Sequence, residues 1–145
     1  MGCYRVVQIH DISDELASQI LEWRNHPLVR RYSKTKRLIG ESEHKTWLSI
    51  PKDIYIFYVH ETPAGVTIVE KCNESYTWSF YLDQNSEFLS YGYLGNIMLQ
   101  ILLRDLAQKL PGKVLLGKCH PENKASQALH RGLGFNEVAL DKDSY

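Results

Sequence analysis

The apolar positions of this chain change period several times, and each change marks an element. Tyr4, Val6 and Val7 lie in a β-favouring run over residues 3–9, after which the segment 11–13 supplies polar residues, Asp11 and Ser13, suited to opening a helix. Leu16, Ile20, Leu21 and Trp23 then recur at helical spacing as far as Pro27, which predicts a helix over residues 14–25. Gly40-Glu41-Ser42-Glu43 opens a shorter helix through His44, Trp47 and Leu48, and Pro51 stops it. Residues 53–60 and 66–69 are rich in β-branched and aromatic side chains on either side of the turn sequence Thr62-Pro63-Ala64-Gly65, the pattern of an antiparallel hairpin.

Residues 76–82 (YTWSFYL) extend that hairpin to a three-stranded meander, whose end meets a loop over residues 83–95 containing Gly92 and Gly95. The segment 94–110 carries Ile97, Met98, Ile101, Leu102, Ala107 and Leu110 on one broad helical face and ends at Pro111-Gly112. Residues 113–117 suit a short buried strand. Asn123 can cap a last helix through Ala125, Leu129 and Leu133 with Gly134 at its C-terminus, and residues 136–140 suit a final strand. The order β, α, α, β, β, β, α, β, α predicts an α/β fold: a mixed, mostly antiparallel sheet of six or seven strands flanked by about four helices. At 145 residues and 43% hydrophobic composition, one domain spanning residues 1–145 is expected.

Charge sharpens this picture locally rather than globally. Seventeen Lys and Arg balance seventeen Asp and Glu, which argues against a nucleic-acid or membrane-surface partner. Yet residues 24–37 hold Arg24, Arg30, Arg31, Lys34, Lys36 and Arg37 with no acid, a concentrated positive segment suited to a small anionic ligand. The three cysteines, Cys3, Cys72 and Cys119, are odd in number and lack CxxC spacing, so they read as reduced thiols, no metal site is expected, and the expected location is cytoplasmic. Cys119 has no neighbouring base pattern that would make it a nucleophile.

A strand that feeds a helix through a glycine-containing loop presents free backbone N–H groups suited to a diphosphate. The loop over residues 83–95 has that layout, although Gly92-Tyr93-Leu94-Gly95 matches neither a Walker loop nor GxGxxG, and turn glycines are commonly structural. The string NKASQALHRGLGF over residues 123–135 carries more, because it closely resembles the closing motif of the GCN5-related N-acetyltransferases, the GNAT family, and the glycine loop and helix before it take the place of that family's acetyl-CoA motif. The resemblance covers nearly the whole chain. Within the family, LEWRNHPLVRRYSKTK over residues 21–36 and the following GESEHKTWL resemble the members that acetylate a UDP-linked amino-dideoxy sugar in pseudaminic acid synthesis.

The resemblance implies acetyl-CoA as cosubstrate and direct attack of an amine on the thioester in a ternary complex. It implies that Leu82 meets the thioester, that Gly92, Leu94, Gly95 and Asn96 meet the diphosphate, and that Asn123 contacts the pantetheine arm. It places the nucleotide-sugar substrate against Trp23, Arg24, His44 and Trp47, with Lys71 from the hairpin side. His130 stands where the family most often has the tyrosine that protonates the departing thiolate, and Lys118 where several relatives have a glutamate base; both are taken as the catalytic candidates. Glu70, Glu122 and His120 are other candidate bases. Tyr93 and Leu94 depart from the family's pyrophosphate loop, which expects a glycine and a small apolar residue there.

Each of these residues also has a plainer reading. Trp23 and Trp47 sit on apolar helix faces where packing is as good an explanation as ligand stacking, and Lys71 near a hairpin end is ordinarily solvated. His44 reads equally as a surface histidine, and His130 beside Arg131 as a residue favoured by its helix dipole. The rival functions are acetyl transfer to a protein N-terminus or small amine, and a non-catalytic domain that binds acyl-CoA or a nucleotide. The fold implied by the resemblance often forms homodimers through strands, and no sequence feature decides that point.

Overall fold

The computed structural model describes residues 4–138. Five strands form one sheet in the order β1-β2-β3-β4-β5: β1 (Tyr4–Ile9), β2 (Asp53–Val59), β3 (Thr62–Cys72), β4 (Ser75–Leu82) and β5 (Val114–Gly117). The first three pairings are antiparallel and the last, β4 with β5, is parallel. The helices are α1 (Asp14–Asn25), α2 (Pro27–Arg30), α3 (Glu41–Ser49), α4 (Leu94–Lys109) and α5 (Lys124–Gly132), with a 3-10 turn at Glu87–Tyr91.

The mixed, mostly antiparallel sheet is the one the sequence predicts, with five described strands against the six or seven expected. Residues 136–138 are not strand, and the remainder of the expected final strand lies outside the described residues. Pro27, expected to end a helix, also starts one: it occupies the first turn of α2, where its missing N–H costs nothing, and the His26 side chain caps that turn.

The first hairpin turns earlier than its composition suggests. His60 and Glu61 make the turn, at φ 59° and 130°, and the Thr62-Pro63-Ala64-Gly65 sequence already belongs to β3. A register shift between Phe57 and Tyr58 leaves Ala64 as the extra residue of a β-bulge, a position that tolerates the neighbouring proline's lack of a donor. Gly65 follows the bulge because a Cβ there would meet Leu82 Cδ2 at 2.8 Å and Met98 Sδ at 3.2 Å.

Both faces of the sheet are covered, which explains why β2 reads as an almost unbroken apolar run. Tyr55, Phe57 and Val59 point into a core shared with Met98, Leu99 and Leu102 of α4, and Leu129 of α5 packs against its rim. Ile54 and Ile56 point the other way, against Ile20 and Trp23 of α1 and Trp47 of α3. The two helix layers therefore stand on opposite faces, and β4 reaches the cleft between them at the end of the sheet.

Candidate functional site

The site begins where two strands part. β5 pairs with β4 only over Ser75–Trp78 against Val114–Gly117, while β4 continues to Leu82. Among the described residues, the edge of β4 remote from β3 thus has no strand partner from Ser79 to Leu82, which leaves an edge suited to an extended polar ligand. A cleft of about 840 Å3 opens there. Its walls come from α1, α2 and the loop after it, α3, the ends of β3 and β4, the start of α4, and the segment from Lys118 into α5.

On one side of the cleft is the N-terminus of α4. No side chain caps that helix, so its first N–H groups and the positive end of its dipole are available to an anion. Gly95 lies in the wall, and a Cβ there would only touch Leu129 Cδ2 at 3.5 Å. Leu94 is buried, so its side chain serves the core and only its backbone faces this helix end. Asn96 bonds Gln100 along the helix. Tyr93 is the N-cap and takes the left-handed conformation, φ 59°, with its side chain 83% exposed. Gly92 precedes it at φ 69°. Neither Gly92, Leu94 nor Asn96 is part of the cleft wall; Leu82 and Gly95 are.

On the other side are residues of the positive segment and of α3. Arg24, Lys34, His44 and Trp47 line the cleft. Three other cations of that segment organise it instead. Arg30 donates to the Asn25 and Lys36 carbonyls, Lys36 to the Arg31 and Ser33 carbonyls, and Arg37 makes a two-pronged ion pair with Glu43 at 2.7 and 2.9 Å. Arg24 also donates to the Thr35 carbonyl at 2.9 Å, so the guanidinium ties the loop to α1 while facing the cleft. Tyr32 meets His120 at 5.7 Å between ring centres, which brings this loop against the segment leading to α5.

His44 is 5% exposed, stacks on Trp47, and has no hydrogen-bond partner at Nε2. Burial, then the nearby Lys52 ammonium, holds its imidazole below the ordinary histidine range, so it is neutral at pH 7. Burial likewise pushes the Tyr81 hydroxyl up, with Arg24 pulling the other way. Trp23 lies 3% exposed in the core behind this wall and Lys71 is exposed on β3 outside it, so the structure brings neither to the cleft; Glu70 beside Lys71 does line it.

Lys118, Cys119, His120, Asn123 and Ser126 form the third wall. Asn123 caps α5 by accepting from the Ser126 N–H at 3.1 Å, which leaves its amide donors for a ligand. His130 stands behind this wall, 7% exposed. Its Nε2 accepts the Trp78 indole N–H at 3.0 Å, and its Nδ1 lies 2.8 Å from the Ser126 carbonyl and 3.4 Å from Cys119 Sγ. Burial disfavours a charged ring, the Cys119 and Ser126 contacts favour it, and these lift His130 above the ordinary range. The Trp78 contact decides the balance the other way: indole is a donor only, so a proton on Nε2 would face another proton. The network therefore assigns the neutral ring with its hydrogen on Nδ1.

Lys34, Tyr81, Cys119 and Ser126 are cleft residues the sequence reading did not single out as site residues. Cys119, Ser126 and His130 are spaced seven and four apart, so a helix starting at Asn123 puts the last two on one face; that spacing is the signal available in the sequence. Among the described residues no group of three or more His, Cys, Asp or Glu could hold a metal ion.

No protein-family model matches the chain, and no curated protein sequence matches it. Solved structures do. A domain from Methanocaldococcus jannaschii superposes with a TM-score of 0.80 at 19% identity, over 97% of this chain and 94% of that one. The yncA protein of Salmonella typhimurium, solved with its cofactor acetyl-CoA, gives 0.71 at 18% identity over 95% and 82%. The N-acetyltransferase PseH of Campylobacter jejuni gives 0.67 at 16% identity over 97% and 93%. At these identities the likeness establishes the fold: the chain has the GNAT acetyltransferase fold.

Proposed function

We propose that the protein transfers acetyl from acetyl-CoA to the amino group of a UDP-linked amino-dideoxy sugar. The observation that carries this reading is the parting of β4 from β5 into a cleft bounded by an uncapped helix N-terminus on one side and by Arg24, Lys34, His44 and Trp47 on the other. An extended pantetheine amide chain would add to the free edge of β4 at Ser79–Leu82, with the Asn123 amide beside it and the diphosphate on the N–H groups of Leu94, Gly95 and Asn96. Gly92 would let the chain turn into that helix.

The acceptor would enter from the opposite side. Arg24 and Lys34 offer charge for a nucleoside diphosphate, and Trp47 and His44 offer ring faces for a base or sugar. Trp23 would support Trp47 from the core rather than touch ligand, and Lys71 would act only at the rim. Attack requires a neutral amine; an amine with a pKa near about 8 supplies an appreciable neutral fraction at pH 7, so an exposed Lys118 in place of an acidic base is compatible with turnover. Glu70 is the cleft-lining carboxylate best suited to take the proton that nitrogen then loses.

The structural neighbours PseH and yncA, named for N-acetyl transfer and for an acetyl-CoA cofactor respectively, support N-acetyl transfer from acetyl-CoA, and the acceptor rests on the chemistry of the cleft wall. The test is steady-state kinetics with acetyl-CoA and either the amino-sugar nucleotide or a peptide amine. Turnover of the sugar nucleotide alone supports the assignment. Turnover of the peptide alone moves the protein to N-terminal acetylation, and calorimetry showing no coenzyme A binding would remove the transferase reading altogether.

A further inference from the structure

Acetyl transfer leaves a thiolate that needs a proton, and His130 is poorly placed to give one. It is not part of the cleft wall, its Nε2 is occupied by the Trp78 N–H, and its Nδ1 hydrogen points at the Ser126 carbonyl. Cys119 lies between this ring and the cleft. Its Sγ is 3.4 Å from His130 Nδ1 and 3.2 Å from Ser126 Oγ, and Cys119 and Ser126 both line the cleft that the thioester would occupy. The cleft has a second mark of a bound polar ligand in His44, whose Nε2 has no partner although the residue is 95% removed from solvent.

We infer that Cys119 is the catalytic residue that protonates the departing coenzyme A thiolate, with His130 and Ser126 as positioning residues that hold its sulfur. This rests on the acetyl-transfer reading above. Nitrogen attacks the thioester carbonyl, the C–N bond forms, and the C–S bond breaks with its electron pair going to sulfur. That sulfur takes the Cys119 S–H proton. The Cys119 thiolate left behind accepts from the Ser126 O–H, and the His130 Nδ1–H, bonded to the Ser126 carbonyl at rest, lies close enough at 3.4 Å to be shared with the sulfur once it is charged. The proton shed by the acylated nitrogen returns through cleft water to Cys119, so the sum is amine plus acetyl-CoA giving amide plus coenzyme A.

The chemistry suits a thiol better than the alternatives at hand. Donor and acceptor are both thiols, so the transfer is close to balanced, whereas a serine hydroxyl is several units too weak an acid. Burial pushes the Cys119 thiol up, the His130 and Ser126 contacts pull it down, Glu137 opposes them, and the net position lies below the ordinary thiol range. The remaining charged and titratable neighbours along its own segment are Lys118 and His120. Cys72, by contrast, is exposed at the end of β3 and has none of these contacts.

The test has two arms. Iodoacetamide labelling of the intact protein, read by peptide mass spectrometry against pH, is expected to label Cys119 below the ordinary thiol range and to be blocked at Cys119 but not at the exposed Cys72 by saturating coenzyme A. Turnover of C119A is expected to fall about 100-fold in kcat with coenzyme A affinity within about twofold of wild type, and to lose the alkaline fall in kcat that deprotonation of the thiol produces. C119A turning over like wild type, or coenzyme A failing to shield Cys119, overturns the assignment. If coenzyme A binds and shields Cys119 while C119A is unimpaired, only the proton-donor role falls; if coenzyme A does not bind at all, the transferase reading falls with it.

Discussion

The indole N–H of Trp78 on β4 is donated to Nε2 of His130 on α5 at 3.0 Å, within the ring cluster that also holds Phe80 and Phe135. This bond fixes the last helix against the last paired residue of β4, beside the point where the strands part. It also sets the tautomer of the ring. In W78F the donor on Nε2 is gone, the ring becomes free to accept a second proton, and its pKa should rise. Histidine NMR titration of wild type and W78F reads this directly; an unchanged His130 value would contradict the neutral assignment.

Gly117 is what lets that bond form. A Cβ at this position would lie 2.3 Å from His130 Nε2 and 2.8 Å from Trp78 Nε1, closer than packed atoms approach. G117A must therefore displace one ring, leaving a buried donor or acceptor unpaired. A loss of about 1–3 kcal/mol in unfolding free energy is expected from denaturant melts, and G117A in the H130A background should cost less than in wild type because the clashing ring is absent.

How legible the chain was depends on the range of the signal. The apolar face of α4 and the nearly unbroken apolar run of β2 reflect burial of one or two whole faces, so helical spacing in the first and β-favouring composition in the second suffice to predict them. The first turn falls before Thr62-Pro63-Ala64-Gly65 because that sequence, though it has turn composition, serves a bulge that tolerates proline's missing donor and a close approach that requires glycine. In the site, Arg24, His44, Trp47, Leu82, Gly95, Lys118 and Asn123 do share one cleft. Trp23 and Lys71 do not, since a helix face or strand end identifies neighbours in sequence and not which side of a wall a side chain takes. The role of Cys119 depends on β5 meeting α5, a tertiary contact that spacing alone does not report.

Tyr93 holds a conformation that ordinarily calls for glycine, and its side chain is 83% exposed, so little packing offsets the strain. Y93G removes the Cβ clash with the following carbonyl, worth about 1–2 kcal/mol, against the greater freedom of glycine in the unfolded chain. The expected net is a gain of about 0.5–1 kcal/mol in chemical denaturation. A loss of stability would show that Tyr93 makes contacts that matter to the folded state.

Thr67 is completely buried in the middle of β3, between Tyr55 and Phe80, and its hydroxyl has no hydrogen-bond partner. Desolvating an unpaired hydroxyl is unfavourable, and valine has nearly the same shape without that group. T67V should raise the unfolding free energy by about 1 kcal/mol. Equal stabilities would mean that the hydroxyl finds a partner in solution.

His44 links stability to pH through burial. Its folded-state pKa lies below the ordinary value because burial and the Lys52 ammonium disfavour the charged ring, so the unfolded chain binds that proton more readily than the folded one. Stability is then complete above the unfolded value, about 6.5, and is lost as pH falls from there through the folded value. H44Q keeps a polar side chain but does not titrate. Across roughly pH 7.5 to 5.5, wild type should lose more melting temperature than H44Q. The difference isolates His44 from the other histidines, which are common to both proteins. Equal losses would show that His44 accepts its proton without penalty, and so that Nε2 finds a partner in the folded state.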